Sequence, residues 1–249
     1  MKILHLDIET APNLAHVWRL WDENVPLDRL LESGYILCWT AKWHGEDEIF
    51  FRSRLDYSKD DMLLFLWELL DASDAVVHYN GRKFDIPWIN AEFVKRGFLP
   101  PSPYRQIDLL ETVKKQFKFP SNKLEYVAKE LGVGEKMKTS GYQTWIGCMN
   151  NQVDSWKEME EYNIQDVKIL ESLYVRLLPW IKGHANHGLF TTGEVPICPN
   201  CGSKHLHKRG FTHTLASTYQ RYRCYTCGHW SKDNKILNKK QYKTTSIGL

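Results

Sequence analysis

"HLDIETAP" (5–12) sets two acidic side chains, Asp7 and Glu9, two positions apart in what otherwise has the composition of an apolar strand. Alternate residues of a strand face the same way, so the two carboxylates lie side by side. Two anions so placed repel, and burying them unpaired is costly, which makes a divalent cation the economical explanation. On its own, the pair is equally compatible with a sheet edge exposed to water.

Around this stretch, "KILHLDIET" (2–10), "YILCWTAKW" (35–43) and "DEIFFRS" (47–53) have strand composition, the last two joined near Gly45. "DDMLLFLWELLDAS" (60–73) has the length and apolar spacing of a helix, and "AVVHY" (75–79) is a further strand. "FDIPWINAEFVKRG" (84–97) predicts a helix with Pro87 in its first turn and Gly97 at its end. A short strand follows at 105–108. Then comes "NKLEYVAKELG" (122–132), with an apolar stripe of Leu124, Val127, Ala128 and Leu131, a capping-box-like start at Asn122 and Glu125, and a stop at Gly132. Ser155 and Glu158 predict the start of a long helix that runs through Leu178 and is closed by Pro179.

Two more acidic elements join the first pair. In "HYNGRKFD" (78–85) a strand ends in an Asn-Gly turn that needs Gly81, and Asp85 stands where a helix N-cap belongs; capping alone would also account for it. In "YNIQD" (162–166) Tyr162 and Asp166 are one helical turn apart, on a face continued by Met159, Leu170 and Leu173. A single Tyr–Asp hydrogen bond is the plainer alternative there.

In order and in placement, Asp7 and Glu9, then Asp85, then Tyr162 with Asp166 resemble the three motifs of the DEDD exonuclease superfamily in its tyrosine subclass. That group is similar to DnaQ-like enzymes and to the proofreading domains of family-B DNA polymerases. The resemblance covers about residues 1–180. It implies an α/β fold of ribonuclease-H-like type, a mixed five-stranded sheet flanked by helices, with strand order 3-2-1-4-5 and the second strand antiparallel. It also implies that two Mg²⁺ or Mn²⁺ ions are held by Asp7, Glu9, Asp85 and Asp166, that Asp7 bridges them, and that Tyr162 orients the attacking water. The implied activity is 3′–5′ exonucleolytic hydrolysis of single-stranded DNA to nucleoside 5′-monophosphates. RNA is the alternative substrate, and a non-catalytic nucleic-acid-binding adaptor is the alternative class. His78 and Asn80 precede the second motif and are candidates to contact the substrate, although for His78 a packed strand residue is the favoured reading. Lys123, Lys136 and Lys138 are placed to reach phosphates or to form a solvated charge run. Trp88 and Trp145 are the tryptophans to test for stacking.

"CPNC" (198–201) and "CYTC" (224–227) give C-x₂-C-x₂₂-C-x₂-C, the spacing of a four-thiolate structural zinc site at Cys198, Cys201, Cys224 and Cys227. The module resembles the zinc ribbons of nucleic-acid enzymes, including those beside insertion-sequence transposases. The net charge of +3 conceals an asymmetry. Residues 180–249 carry eleven Lys or Arg against Glu194 and Asp233, leaving 22 basic and 28 acidic residues before them. A polyanion held by the basic appendage fits that balance. Lys208, Arg209, Arg221 and Arg223 are the candidate phosphate contacts, interleaved with Phe211, Tyr219 and Tyr222. A ribbon that docks on a protein, such as a replication or repair partner, is the alternative.

The expected organisation is an exonuclease domain over 1–180, a linker over 181–196, the zinc ribbon over 197–234, and a basic disordered tail over 235–249. Paired Cys-x-x-Cys motifs without a disulfide framework suit a reducing interior. No apolar stretch approaches the roughly 20 residues that span a bilayer. The expectation is a cytoplasmic protein of a bacterial cell or phage-infected host, without a membrane partner.

Overall fold

The computed structural model describes residues 1–193 and 195–237. They divide into a larger unit, Lys2–Tyr174, and a smaller unit from Val175 onward.

The larger unit is built on a five-stranded sheet. Its strands are β1 (Ile3–Thr10), β4 (Ile36–Trp43), β5 (Ile49–Ser53), β6 (Ala75–His78) and β7 (Arg105–Asp108), in the order β5-β4-β1-β6-β7. β4 runs antiparallel to β1 and β5, whereas β6 is parallel to β1 and β7. This is the expected mixed ribonuclease-H-like sheet. Between β1 and β4 lies a small sheet that composition did not suggest, β2 (Leu14–Ala15) with β3 (Leu30–Glu32).

β1 is central, so both of its faces are covered, and period 2 splits its residues between two environments. Leu4, Leu6 and Ile8 enter one core with Met62, Leu63, Leu66 and Leu70 of α1 (Lys59–Asp71) and Ile86, Ile89 and Phe93 of α2 (Asp85–Lys95). Each such fully buried aliphatic side chain contributes roughly 1.5–3 kcal/mol. His5, Asp7 and Glu9 therefore face the other way. That face is met by residues of α6 (Val153–Leu177), the long helix that follows α3 (Leu109–Gln116), α4 (Leu124–Glu130) and α5 (Tyr142–Met149).

Three expected helix starts are corrected. Asp85 is the first residue of α2 rather than its N-cap, which is Phe84. At α4 the N-cap is Lys123 without a side-chain cap, so Asn122 and Glu125 form no capping box. α6 begins at Val153, ahead of Ser155; Glu158 instead accepts from Ser140 N (2.7 Å) and Thr144 Oγ1 (2.7 Å), tying the preceding segment to the helix. Tertiary partners outcompete local caps there. α6 ends at Leu177, and Leu178–Trp180, with Pro179, forms a 3₁₀ turn.

In the smaller unit, β8 (Leu206–His213), β9 (Thr218–Cys224) and β10 (Trp230–Ile236) form an antiparallel sheet in the order β10-β9-β8. Asn200, 3 % exposed, donates to the carbonyls of Leu178 (2.9 Å) and Ile181 (3.2 Å). β10 runs past Lys235, where the tail is expected to begin; the rest of that tail, 238–249, lies outside the described residues. Among the described residues, no helix is long and apolar enough to cross a membrane.

Candidate metal centres

Asp7 and Glu9 stand near the C-terminal end of β1, opposite Thr40 and Cys38 of β4, just before a bulge between Glu9 and Thr10. Asp166 comes from α6, whose buried stripe is Met159, Asn163, Asp166, Val167, Leu170 and Tyr174. One carboxylate oxygen from each of Asp7, Glu9 and Asp166 falls within 4.8 Å of the others. Asp85 is beside them but outside that triangle: its Oδ1 accepts the Ile8 amide at 3.2 Å. The Asp85 carboxyl is thus steered by the backbone between the two acids of β1.

The electrostatics are those of crowded anions. Loss of hydration, then the charges of Asp85, Glu9 and Asp166, push the Asp7 carboxyl well above the usual range. Dehydration and Asp166 raise Glu9 to about 8, and dehydration raises Asp85 to about 7. Asp166 is likewise raised by burial, against the pull of Lys136, and its Oδ1 is buried without a partner among the described residues. An oxygen-only cluster that is short of positive charge fits Mg²⁺ or Mn²⁺.

Two residues of this centre were not assigned to it from sequence. Lys136 places its Nζ 2.5 Å from Asp166 Oδ2 and 3.0 Å from the Tyr162 hydroxyl, so it belongs to the cluster and not to a solvated charge run. Asn163, fully buried, donates from Nδ2 to Asp7 Oδ2 at 2.6 Å. A buried Asn next to Tyr162 on an inward helix face was the available signal. Tyr162 packs edge-on to Trp145, ring centroids 5.9 Å apart.

The turn before Asp85 is organised by a third unassigned residue, Asp108. Its carboxylate accepts from the amides of Asn80 (3.0 Å), Arg82 (3.3 Å) and Leu110 (3.0 Å), and His78 Nδ1 lies 3.5 Å from it. Asn80 stands in this turn with φ +68°. His78, on β6, is fully buried. Gly81 is required by close approach: a Cβ there would stand 2.4 Å from the His78 ring. Lys138 is exposed, and no contact joins it to the cluster.

In the smaller unit the four cysteine sulfurs lie within 4.8 Å of one another, with Cys198–Cys227 and Cys201–Cys224 each at 3.6 Å. Tetrahedral zinc with bonds of about 2.3 Å spaces its sulfurs about 3.8 Å apart, so the cluster suits a structural zinc ion. Hydrogen bonding from Cys227 and from backbone amides pulls the Cys198 thiol down to about 5, while the same contact pushes Cys227 up and burial pushes Cys201 up to about 12, so the case for zinc rests on the spacing of the sulfurs.

Of the candidate phosphate contacts, Arg221 and Arg223 are exposed and alternate along β9, opposite Lys232 and Trp230 of β10. The Arg221 guanidinium lies 4.8 Å from the centroid of the Trp230 ring, and Lys232 Nζ 4.1 Å from that of Tyr219. Trp230 and Lys232 thus join a basic aromatic face that sequence assigned only in part. Lys208 pairs with Tyr222 and Arg209 donates to the Tyr225 hydroxyl at 3.1 Å; both are exposed. Tyr222 is buried near Asp233, so it offers no stacking surface, whereas Phe211 is exposed.

Fold and site define a ribonuclease-H-like α/β protein with a clustered-carboxylate centre and an appended four-cysteine module. The chain belongs to the RNase_H superfamily, whose pattern matches residues 33–178. Asp7 and Glu9 lie ahead of the matched stretch. Among solved structures the chain is similar to a family B DNA polymerase from the hyperthermophilic archaeon Pyrobaculum calidifontis, at 16 % identity and a TM-score of 0.54. The likeness covers 72 % of this chain and 24 % of the polymerase, so the chain spans about a quarter of that protein's length. No curated protein matches the chain.

Proposed function

We propose that this protein is a metal-dependent 3′–5′ exonuclease that shortens single-stranded DNA from its 3′ end and releases nucleoside 5′-monophosphates. The observation that carries the reading is the convergence of Asp7, Glu9 and Asp166 from a central strand and a facing helix, with Asp85 fixed beside them. These four residues would hold two Mg²⁺ or Mn²⁺ ions. Bound there, such ions supply hydroxide at neutral pH and neutralise the attacking and leaving oxygens of an in-line displacement.

The chain's own groups then have separate tasks. Asn163 fixes the Asp7 carboxylate through one oxygen and leaves the other for a cation. The Tyr162 hydroxyl orients the attacking water, and Lys136, which touches both Tyr162 and Asp166, balances charge around them. Arg221, Arg223 and Lys232 hold backbone phosphates while Trp230 and Tyr219 offer rings to bases. An adaptor without catalysis is disfavoured because a cluster of anions gains nothing from binding an acidic polymer.

The test is a gel assay of 5′-labelled single-stranded DNA and RNA of matched sequence with Mg²⁺ or Mn²⁺. A ladder shortening from the 3′ end of DNA is expected, abolished by Asp166→Ala and slowed by Tyr162→Phe on the order of 10- to 100-fold. A ladder on RNA instead makes the enzyme an exoribonuclease. Full activity in Asp166→Ala would falsify the assignment, and tight binding without any ladder makes the protein an adaptor.

A further inference from the structure

On the face of β1 that carries Asp7 and Glu9, at the opposite end of the strand, a second group of metal-ligating atoms converges. His5 Nε2 lies 3.2 Å from His44 Nδ1, and His44 Nδ1 lies 3.1 Å from Glu171 Oε1. One ligand atom from each residue falls within 4.8 Å of the other two. His5 belongs to β1, His44 follows directly on β4, and Glu171 stands on α6.

Hydrogen bonding alone serves this group poorly. The two short contacts meet at His44 Nδ1, which carries at most one hydrogen. With that hydrogen present, it must be shared between His5 and Glu171; with it absent, the Glu171 oxygen faces a lone pair at 3.1 Å. His5 is fully buried, and its other ring nitrogen, Nδ1, has no partner among the described residues. Its one polar contact points into the cluster. A cation shared by three lone pairs removes the conflict.

The spacing identifies the kind of cation. Tetrahedral zinc with bonds to nitrogen or oxygen of about 2.0–2.1 Å sets its ligands about 3.3–3.4 Å apart, close to both contacts. Two imidazoles and one carboxylate select a first-row transition ion over Mg²⁺ or Ca²⁺, which prefer all-oxygen shells. Glu171 is held for the task from outside: Lys42 Nζ contacts Oε2 at 2.5 Å, and the Gly45 amide donates to Oε1 at 2.9 Å. Such outer partners orient a ligating carboxylate. Tyr174 packs edge-on to both imidazoles, with centroids 5.3 Å and 5.1 Å away, and limits their rotation. The side chains of His44 and Glu171 are 32 % and 19 % exposed, so an ion arriving from solvent reaches the site while His5 forms its floor.

We infer that His5, His44 and Glu171 form a second transition-metal site, selective for Zn²⁺ and separate from both the carboxylate cluster and the four cysteines. It joins β1 to α6, the two elements that carry Asp7, Glu9 and Asp166. Zinc bound there would fasten α6 against the central strand.

The experiment uses the full chain, stripped of metal and loaded with Zn²⁺ or Co²⁺ in excess Mg²⁺, which occupies the oxygen-only cluster. Elemental analysis is expected to find two transition ions per chain. The cobalt form is expected to show one centre with thiolate charge-transfer absorption and one without. His44→Ala, at a partly exposed position beyond the end of β4, is expected to lose only the second centre. Glu171→Gln, which keeps the side-chain volume, is expected to weaken it on the order of 100-fold or more, since even outer partners are worth 10- to 100-fold. A single ion per chain in the wild-type protein, or a second centre that survives both substitutions, overturns the proposal.

Discussion

Glu9 and Asp85 keep protons in the folded protein that the unfolded chain would already have released. Glu9 is raised from 4.5 to about 8 and Asp85 from 3.8 to about 7, both chiefly by dehydration. Between those limits the native state binds more protons than the unfolded one, so stability falls as pH rises. The protein without Mg²⁺ should therefore melt at a progressively lower temperature from about pH 5 to about pH 8. A divalent cation binds the deprotonated carboxylates, so adding Mg²⁺ should raise the melting temperature far more near pH 8 than near pH 5. Lys136 holds the Glu9 and Asp7 carboxyls lower than they would otherwise be, and Lys136→Met should steepen the loss. Calorimetric melts of both proteins, with and without Mg²⁺, decide the matter. A Mg²⁺ effect independent of pH would mean that these carboxylates do not receive the ion.

At the level of elements, the path from β6 to α2 carries Asp85 through a turn that has no slack. Gly81→Ala would drive a methyl group into the buried His78 ring, and overpacking of this kind costs roughly 1–3 kcal/mol. Urea unfolding should show that loss, and activity should fall with it because Asp85 moves. A variant as stable and active as the wild type would mean that the turn yields easily. Much of this architecture was legible in the sequence. Period 2 put Asp7 and Glu9 on one face of β1, period 3.6 put Tyr162 and Asp166 on one face of α6, and both follow from backbone geometry alone. Lys136 was not legible as a site residue because it sits in a segment without periodicity, between α4 and α5, whose position depends on Glu158 holding Ser140 and Thr144. Asp108 looked like the end of a strand, and only its three amide donors reveal it as the anchor of the neighbouring turn. The misplaced start of α6 has the same origin, since a capping pattern is a local preference of about 1 kcal/mol that contacts such as those of Glu158 override.

For the whole molecule, the four-cysteine module and the carboxylate cluster should fail independently. Zinc binding to such modules is worth roughly 10–16 kcal/mol in peptides, so a strong chelator should unfold the smaller unit while the five-stranded sheet keeps its far-ultraviolet dichroism and its own melting transition. Removing residues 195–249 should weaken binding to single-stranded DNA and flatten its salt dependence. The slope should fall by about 0.7 for each lost phosphate contact, or about 2 if Arg221, Arg223 and Lys232 each make one. An unchanged slope would remove the basic face from the nucleic-acid interface. The hydrogen bond from Asn163 to Asp7 also has a bearing on synthesis. Its partners are 156 residues apart. At roughly 5–20 residues per second a ribosome needs roughly 8–30 s to pass from one to the other. For that interval the growing chain displays the acids of β1 with nothing from α6 to complete them. Until α6 has been made, the carboxylate cluster on which the proposed hydrolysis rests is incomplete, so that activity can begin only in the last third of synthesis.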